Sequence, residues 1–240
     1  MNLPSIWAVV PAAGVGSRME TDVPKQYLSL AGSMVIEHTL NRLLKVDQVC
    51  GLVVALNNSD EYWDTVQLAS DKAVLRADGG LQRCNSVLNA LDRLAQHGDF
   101  DENRDWVLVH DAVRPCFSLS DVTALIESVG NNESGGLLAT PVKDTIKRQD
   151  DNQAVQSTVE RKGLWQALTP QFFPYRILKT ALLAAINEGV EVTDESSAME
   201  HLGYKPLLIQ GSASNIKITR PEDLRLAELY LAELYSGEAV

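Results

Sequence analysis

The sequence predicts an α/β fold, a mostly parallel sheet flanked by helices with a projecting β-arm. Three observations carry that reading. Short β-branched runs alternate with longer stretches of helical period. The 240 residues match one α/β domain and are short for two. The alternation then breaks once, between Pro141 and Trp165, in a way that reads as a hairpin inserted into residues 1–240.

The first strand is Ile6 to Val10. After a glycine-containing loop, Met34, Ile36, Leu40, Leu43 and Leu44 recur at helical spacing, and Ser33 is placed to cap that helix. Strands follow at about Gly51 to Leu56 and Ala73 to Ala77, the second stopped by Gly79-Gly80. A helix is expected from Gln82 to about Gln96, a fourth strand at Trp106 to His110, a helix over Leu119 to Val129 and a fifth strand at Gly136 to Thr140. In the arm, Thr145-Ile146-Lys147 and Ala154 to Val159 flank the polar segment Gln149 to Gln153. The chain returns to helix at Tyr175 to Glu188, to strand at Pro206 to Gln210 and at Ile216 to Thr219, and to a last helix after Pro221, which suits a first-turn position.

Composition excludes several classes. Hydrophobic residues are 45% and charged residues 22%, which argues against disorder and fibrous repeats. Lys plus Arg number 21 against 32 Asp plus Glu, a net charge of −11, so no broad face should bind nucleic acid or an anionic membrane. A polyanionic ligand must therefore be held by locally clustered cations. Cys50, Cys84 and Cys116 are odd in number and widely spaced, which fits neither a disulfide framework nor a zinc site. With no signal-like segment and no run of 18 apolar residues, a cytoplasmic protein is expected.

Chemistry concentrates at loop ends. The first strand runs into Pro11-Ala12-Ala13-Gly14-Val15-Gly16-Ser17-Arg18-Met19, where small residues let backbone N–H groups approach phosphate or a base edge. A dinucleotide fingerprint needs glycine where Met19 stands and an acid where Asn57-Asn58 end the second strand. A Walker loop needs a Gly-Lys-Ser/Thr that is absent. What remains is a small-residue cradle delivering Arg18, with Lys25 seven residues on, and two cations beside such a cradle suit a triphosphate. Asp111 ends the fourth strand in His110-Asp111-Ala112-Val113-Arg114-Pro115. It is placed to hold Mg²⁺ against phosphates, to pair with Arg114, or to cap a helix; His110 reads as a packed strand residue. Gly79-Gly80 before Arg83 and Ser86, Arg161 at the end of the arm, and Lys217 repeat the pairing of a cation with a loop.

Pro11-Ala12-Ala13-Gly14-x-Gly16-x-Arg18-Met19, Pro24-Lys25-Gln26-Tyr27, Val109-His110-Asp111-Ala112-x-Arg114-Pro115 and Thr169-Pro170-Gln171 together resemble the 2-C-methyl-D-erythritol 4-phosphate cytidylyltransferase family of the non-mevalonate isoprenoid pathway. Asn215 to Thr219 and Pro221-Glu222-Asp223 extend the resemblance along nearly the whole chain. It implies a Rossmann-like nucleotidyltransferase that moves CMP from CTP to methylerythritol phosphate and releases pyrophosphate, with Mg²⁺ as cofactor and a homodimer formed through the arm. Carried over by position, Pro11, Ala12, Ala13, Gly14, Gly80 and Ser86 would contact the nucleoside. Arg18 and Lys25 would neutralise the triphosphate, Asp111 would bind the metal, and Lys217 would lie at the reacting phosphates. Ala112, Arg114 and Thr169 would line the substrate site, and Thr145 and Arg161 would reach the other subunit's acceptor. The residue types agree, because a phosphate nucleophile is already ionised and needs no general base. Two positions depart from the family pattern: Leu81 and Ser214 stand where acidic residues are common. The rival readings are a ribitol 5-phosphate cytidylyltransferase, against which Pro11-Ala12-Ala13 argues, and a non-catalytic nucleotide-binding module, against which the joint presence of Arg18, Lys25, Asp111 and Lys217 argues.

Overall fold

In the computed structural model, which describes residues 4–14 and 23–238, the centre is a seven-stranded sheet. Its strands are β1 (Ile6–Pro11), β4 (Val49–Leu56), β5 (Ala73–Asp78), β6 (Trp106–Val109), β7 (Gly136–Pro141), β10 (Trp165–Pro174) and β11 (Leu207–Gln210). The spatial order is β11-β7-β10-β6-β1-β4-β5. All neighbours run parallel except β10, which is antiparallel to both β6 and β7. Two small ribbons complete the strands: β2 (Ser29–Leu30) with β3 (Ser33–Met34), and β8 (Ile146–Gln149) with β9 (Val155–Val159). The β8–β9 ribbon is the expected arm, and Asp150 organises its turn by accepting the N–H groups of Asn152 and Ala154, each at 2.9 Å.

Helices cover both faces, so the inner strands are apolar at nearly every position. Ala8, Val10, Leu52, Val54 and Leu108 point into one core layer together with Ile36 and Leu40 of α1 (Val35–Leu44) and Leu125 of α3 (Leu119–Val129). Their sequence neighbours Trp7, Val9, Val53, Ala55, Val107 and Val109 point the other way. There they meet α2 (Arg83–Ala95), α4 (Tyr175–Asn187) and α5 (Glu195–His201). The two-residue pleat period thus feeds both layers from each strand, and each fully buried Val, Leu or Ile contributes roughly 1.5–3 kcal/mol relative to exposure. The last helix, α6 (Pro221–Glu238), closes a third apolar cluster of Ala227 and Leu231 against Leu30, Val35, Val113, Cys116 and Ile218.

The structure differs from the sequence expectations at four places. Ser33 does not cap α1: it sits in the β2–β3 ribbon, the N-cap is Met34, and Glu37 satisfies the Met34 N–H at 2.7 Å. Ile216 to Thr219 is not a strand. Its hydrogen bonds go to a loop carbonyl and a side chain, from Ile218 N–H to Val113 O at 2.9 Å and from Thr219 N–H to Asp223 at 2.8 Å. The long strand β10 and the short helix α5 were not foreseen. In β10 the register shifts between Ala167 and Gln171, which breaks the alternation a strand would show. Helix α5 opens on the polar run Asp194 to Ser197, where Asp194 caps it by accepting Ser197 N–H at 2.9 Å.

The topology positions the site. From β1 the sheet extends to β4 on one side and to β6 on the other, and the loops leaving β1 and β6 diverge there, as at the switch point where open α/β sheets bind ligands.

Candidate active site

Three segments meet at that point: the end of β1 with the loop to Gly14, Gly79-Gly80 after β5, and His110 to Arg114 after β6. Side chains are excluded at both glycines, since a Cβ on Gly79 would collide with Ala13 of the first loop and one on Gly80 with Asn85 of α2. The loops are braced from outside. Gln26 Nε2 donates to Ala12 O at 2.8 Å, and Gly80 N–H donates to Ser86 Oγ at 3.0 Å. Between them lies a cavity of about 210 Å³ lined by Pro11 to Gly14, Lys25, Gly80, Ser86, Asp111, Ala112 and Lys217.

Asp111 is the electrostatic centre of the site. The residue is 6% exposed and its carboxylate faces three cations: Arg83 Nε at 3.0 Å on one oxygen, with Lys217 Nζ at 3.0 Å and Arg114 Nε at 3.3 Å on the other. Burial alone would raise its pKa, but Arg83, Lys217 and Arg114 together hold it well below the usual carboxylate range. Arg83 donates through its remaining nitrogens to Glu195 at 2.6 and 3.0 Å. Against the burial that would lower its pKa, the two carboxylates hold the guanidinium charged.

A second cavity of about 260 Å³ adjoins the first and includes Arg114, Thr169, Gln171 and Asp194. Arg83, Asp111 and Lys217 line both, so the cation cluster forms their shared wall. Here β10 supplies Thr169, whose hydroxyl oxygen accepts Asp111 N–H at 3.1 Å. A larger cavity of about 670 Å³ lies at the base of the arm, beside β11. It holds one lysine, Lys143, with Asp121 and Asp144, and so lacks the clustered cations that an anionic ligand requires.

A family model described as 2-C-methyl-D-erythritol 4-phosphate cytidylyltransferase matches residues 6–233. The chain belongs to that family. A relative of that name from Vibrio vulnificus (strain YJ016) is 49% identical over 231 residues, covering 96% of both chains. Among solved structures, a 4-diphosphocytidyl-2C-methyl-D-erythritol synthase is 38% identical with a TM-score of 0.83, covering 96% of this chain and all of that one. The Francisella tularensis 2-C-methyl-D-erythritol 4-phosphate cytidylyltransferase is 32% identical with a TM-score of 0.79, covering 94% of this chain and 99% of the other.

Of the residues that the family resemblance singled out, Pro11, Ala12, Ala13, Gly14, Lys25, Gly80, Ser86, Asp111, Ala112 and Lys217 share the first cavity, and Arg114 and Thr169 the second. Arg18 lies outside the described residues. Thr145 and Arg161 are exposed on the arm and line neither cavity of their own chain; the Arg161 guanidinium donates to the Lys143 carbonyl. Sequence reasoning gave Arg83 no assigned role and missed Glu195 altogether. A glutamate in a polar helix start ordinarily faces water, and nothing local marks this one as buried.

The described residues form no all-protein metal cage, and Mg²⁺ commonly takes only one or two carboxylates beside phosphate oxygens. Among the described residues no three His, Cys, Asp or Glu side chains converge, and the expected ligand Asp111 is already countered by three cations. That arrangement favours anions in both cavities and keeps Asp111 as the element that holds the cations in place.

His110 braces the loop from behind. Its Nε2–H donates to the Arg114 carbonyl at 2.9 Å, since a carbonyl can only accept, and Nδ1 therefore accepts from the Thr169 hydroxyl at 3.0 Å. Burial pushes the ring down to about 4, against the opposing effects of the Arg114 carbonyl and Asp111, with Arg114 and Arg83 adding to the depression. The unfolded chain, with an ordinary histidine pKa of about 6.5, takes up a proton first as pH falls. Stability from His110 is thus complete above about pH 6.5 and is lost progressively toward pH 4, by up to about 3 kcal/mol. Urea unfolding across that window should show a steeper pH dependence for wild type than for His110→Gln, the difference approaching one proton. Equal slopes would contradict the buried neutral ring.

Proposed function

We infer that this chain transfers CMP from CTP to 2-C-methyl-D-erythritol 4-phosphate, giving 4-diphosphocytidyl-2-C-methyl-D-erythritol and pyrophosphate. The observation that carries the reading is the shared wall: one cluster of cations between two adjoining cavities, which can draw two anions to a common boundary. In this reading the triphosphate lies on the glycine loops beside Lys25, and the acceptor phosphate occupies the cavity of Arg114 and Thr169.

An acceptor phosphate oxygen attacks the α-phosphorus of CTP, the bond to the bridging oxygen of pyrophosphate breaks, and the electron pair leaves with pyrophosphate. No proton has to move, which agrees with two cavities that no described histidine lines and whose described carboxylates, Asp111 and Asp194, are already engaged by cations and by the start of α5. Catalysis then consists of holding two anions together and stabilising the charge that shifts at the α-phosphorus, work for Lys25, Lys217 and Arg18. When bound, magnesium would supply charge neutralisation at the nucleotide phosphates, and Asp111, the described carboxylate that lines the first cavity, is the residue that would hold it.

We also read residues 1–240 as one catalytic domain of a cytoplasmic homodimer. Among the described residues no helix is long and apolar enough to cross a membrane. The arm carries Thr145 and Arg161 away from its own cavities, and Val155, Leu164 and Trp165 are exposed along it, as suits a hairpin that docks on a second copy and completes that copy's acceptor site.

Pyrophosphate release should require both CTP and methylerythritol phosphate, with UTP and ribitol 5-phosphate far poorer. Backbone groups at the glycine loops that pair with the cytosine amine would be left unmet by uracil. Equal kcat/KM for CTP and UTP would contradict the nucleotide assignment, and preference for ribitol phosphate the acceptor assignment.

The arm has its own test. Lys25→Ala and Arg161→Ala subunits, each nearly inactive, are mixed after dissociation and reassociated. If Arg161 serves the neighbour, one site of each mixed dimer unites an intact Lys25 with an intact Arg161. Random pairing makes half the dimers mixed, so roughly a quarter of wild-type activity returns. No recovery, with mixed dimers confirmed by mass, would overturn the exchange.

A further inference from the structure

We propose that Glu195 is a positioning residue for the transfer, fixing the Arg83 guanidinium in the shared wall and, through it, the Asp111 carboxylate. The inference rests on the functional reading above and assigns a role to two residues that the family resemblance left without one.

Glu195 is the first residue of α5 and is 0% exposed, although a helix start normally presents its acids to water. Both its oxygens are taken by Arg83, Nη1 at 2.6 Å and Nη2 at 3.0 Å, while Arg83 Nε reaches Asp111 at 3.0 Å. One guanidinium therefore joins carboxylates carried by two elements remote in sequence. The start of α5 is itself pinned to β10: Gln171 accepts Ser196 N–H at 2.8 Å and donates to Asp194 at 2.9 Å. The fork–fork pair fixes Arg83 in plane and direction, which a single bond would not do.

Burying such a pair is poor economy if stability were its only purpose, because apolar residues of similar volume serve as well or better. Its position supplies another reason. Arg83, Arg114 and Lys217 against Asp111 leave a net charge of +2, and Glu195 brings the cluster to +1. Without Glu195, Arg83 is released toward the bound phosphates. It would then bind the ground state as well as the transition state, and Asp111 would lose one of its three supports. The expected signature is a fall in kcat with no rise in KM, which is not what simple unfastening of α5 produces.

The test uses the full-length enzyme, with wild-type turnover of CTP and methylerythritol phosphate as the control that belongs to the functional reading. Glu195→Gln and Glu195→Asp are compared for kcat per folded site and for both KM values, alone and combined with Arg83→Gln. Glu195→Gln should lower kcat about tenfold or more at unchanged or lower KM for the acceptor, and should cost almost nothing further in the Arg83→Gln background. Glu195→Asp keeps the charge, protects folding if the neutral variant does not accumulate, and should lie between. With wild type active, kcat within about twofold of wild type in the folded Glu195 variants, or losses that simply multiply with Arg83→Gln, would overturn the positioning role.

Discussion

The site depends on one buried carboxylate and the cations gathered on it. A lone charge at the position of Asp111 would be costly in a medium of low polarity, and three cations so close together would repel one another. Each half of that cluster makes the other tolerable. Asp111 holds Arg83, Arg114 and Lys217 within 3.3 Å of its oxygens, so side chains brought from α2, from the β6 loop and from the segment before α6 share one wall. Cations fixed before substrate arrives need no reorganisation when charge shifts during reaction, which is the condition under which such groups are most effective.

The fold supplies that wall through its topology. The parallel strands end at a common edge, and the sheet diverges between β1 and β6, so glycine loops and the Asp111 loop face one another without further device. The antiparallel strand β10 adds what parallel order could not, bringing Thr169 beside Asp111 and Gln171 beside α5. His110, behind the loop, couples the Thr169 hydroxyl to the Arg114 carbonyl, so the acceptor side is braced by neutral hydrogen bonds while its front face carries the charge.

Much of this was legible in the sequence, and what was not has physical causes. The parallel strands announced themselves because burial on both faces makes them short apolar runs between turn residues. The glycine loops and Asp111 could be picked out because small residues and a carboxylate stand where parallel strands end, whereas Lys25 and Lys217, two of 21 Lys and Arg, stood out through their joint placement and the family resemblance. Strand β10 was hidden by its irregular centre. The segment Ile216 to Thr219 has strand composition, but its N–H groups found partners outside any ladder. Glu195 was invisible because its burial depends on Arg83, remote in sequence, and no local pattern encodes a long-range ion pair.

The most direct measurement is the steady-state turnover of Asp111→Asn, normalised to the folded fraction. Asparagine keeps the shape and removes the charge that gathers the cations. In protein that still folds, kcat with CTP and methylerythritol phosphate should fall on the order of 10²- to 10³-fold, as for loss of preorganised stabilisation. A folded Asp111→Asn enzyme turning over within a few-fold of wild type would contradict it, because the cations would then hold their places without the carboxylate on which the site is said to depend.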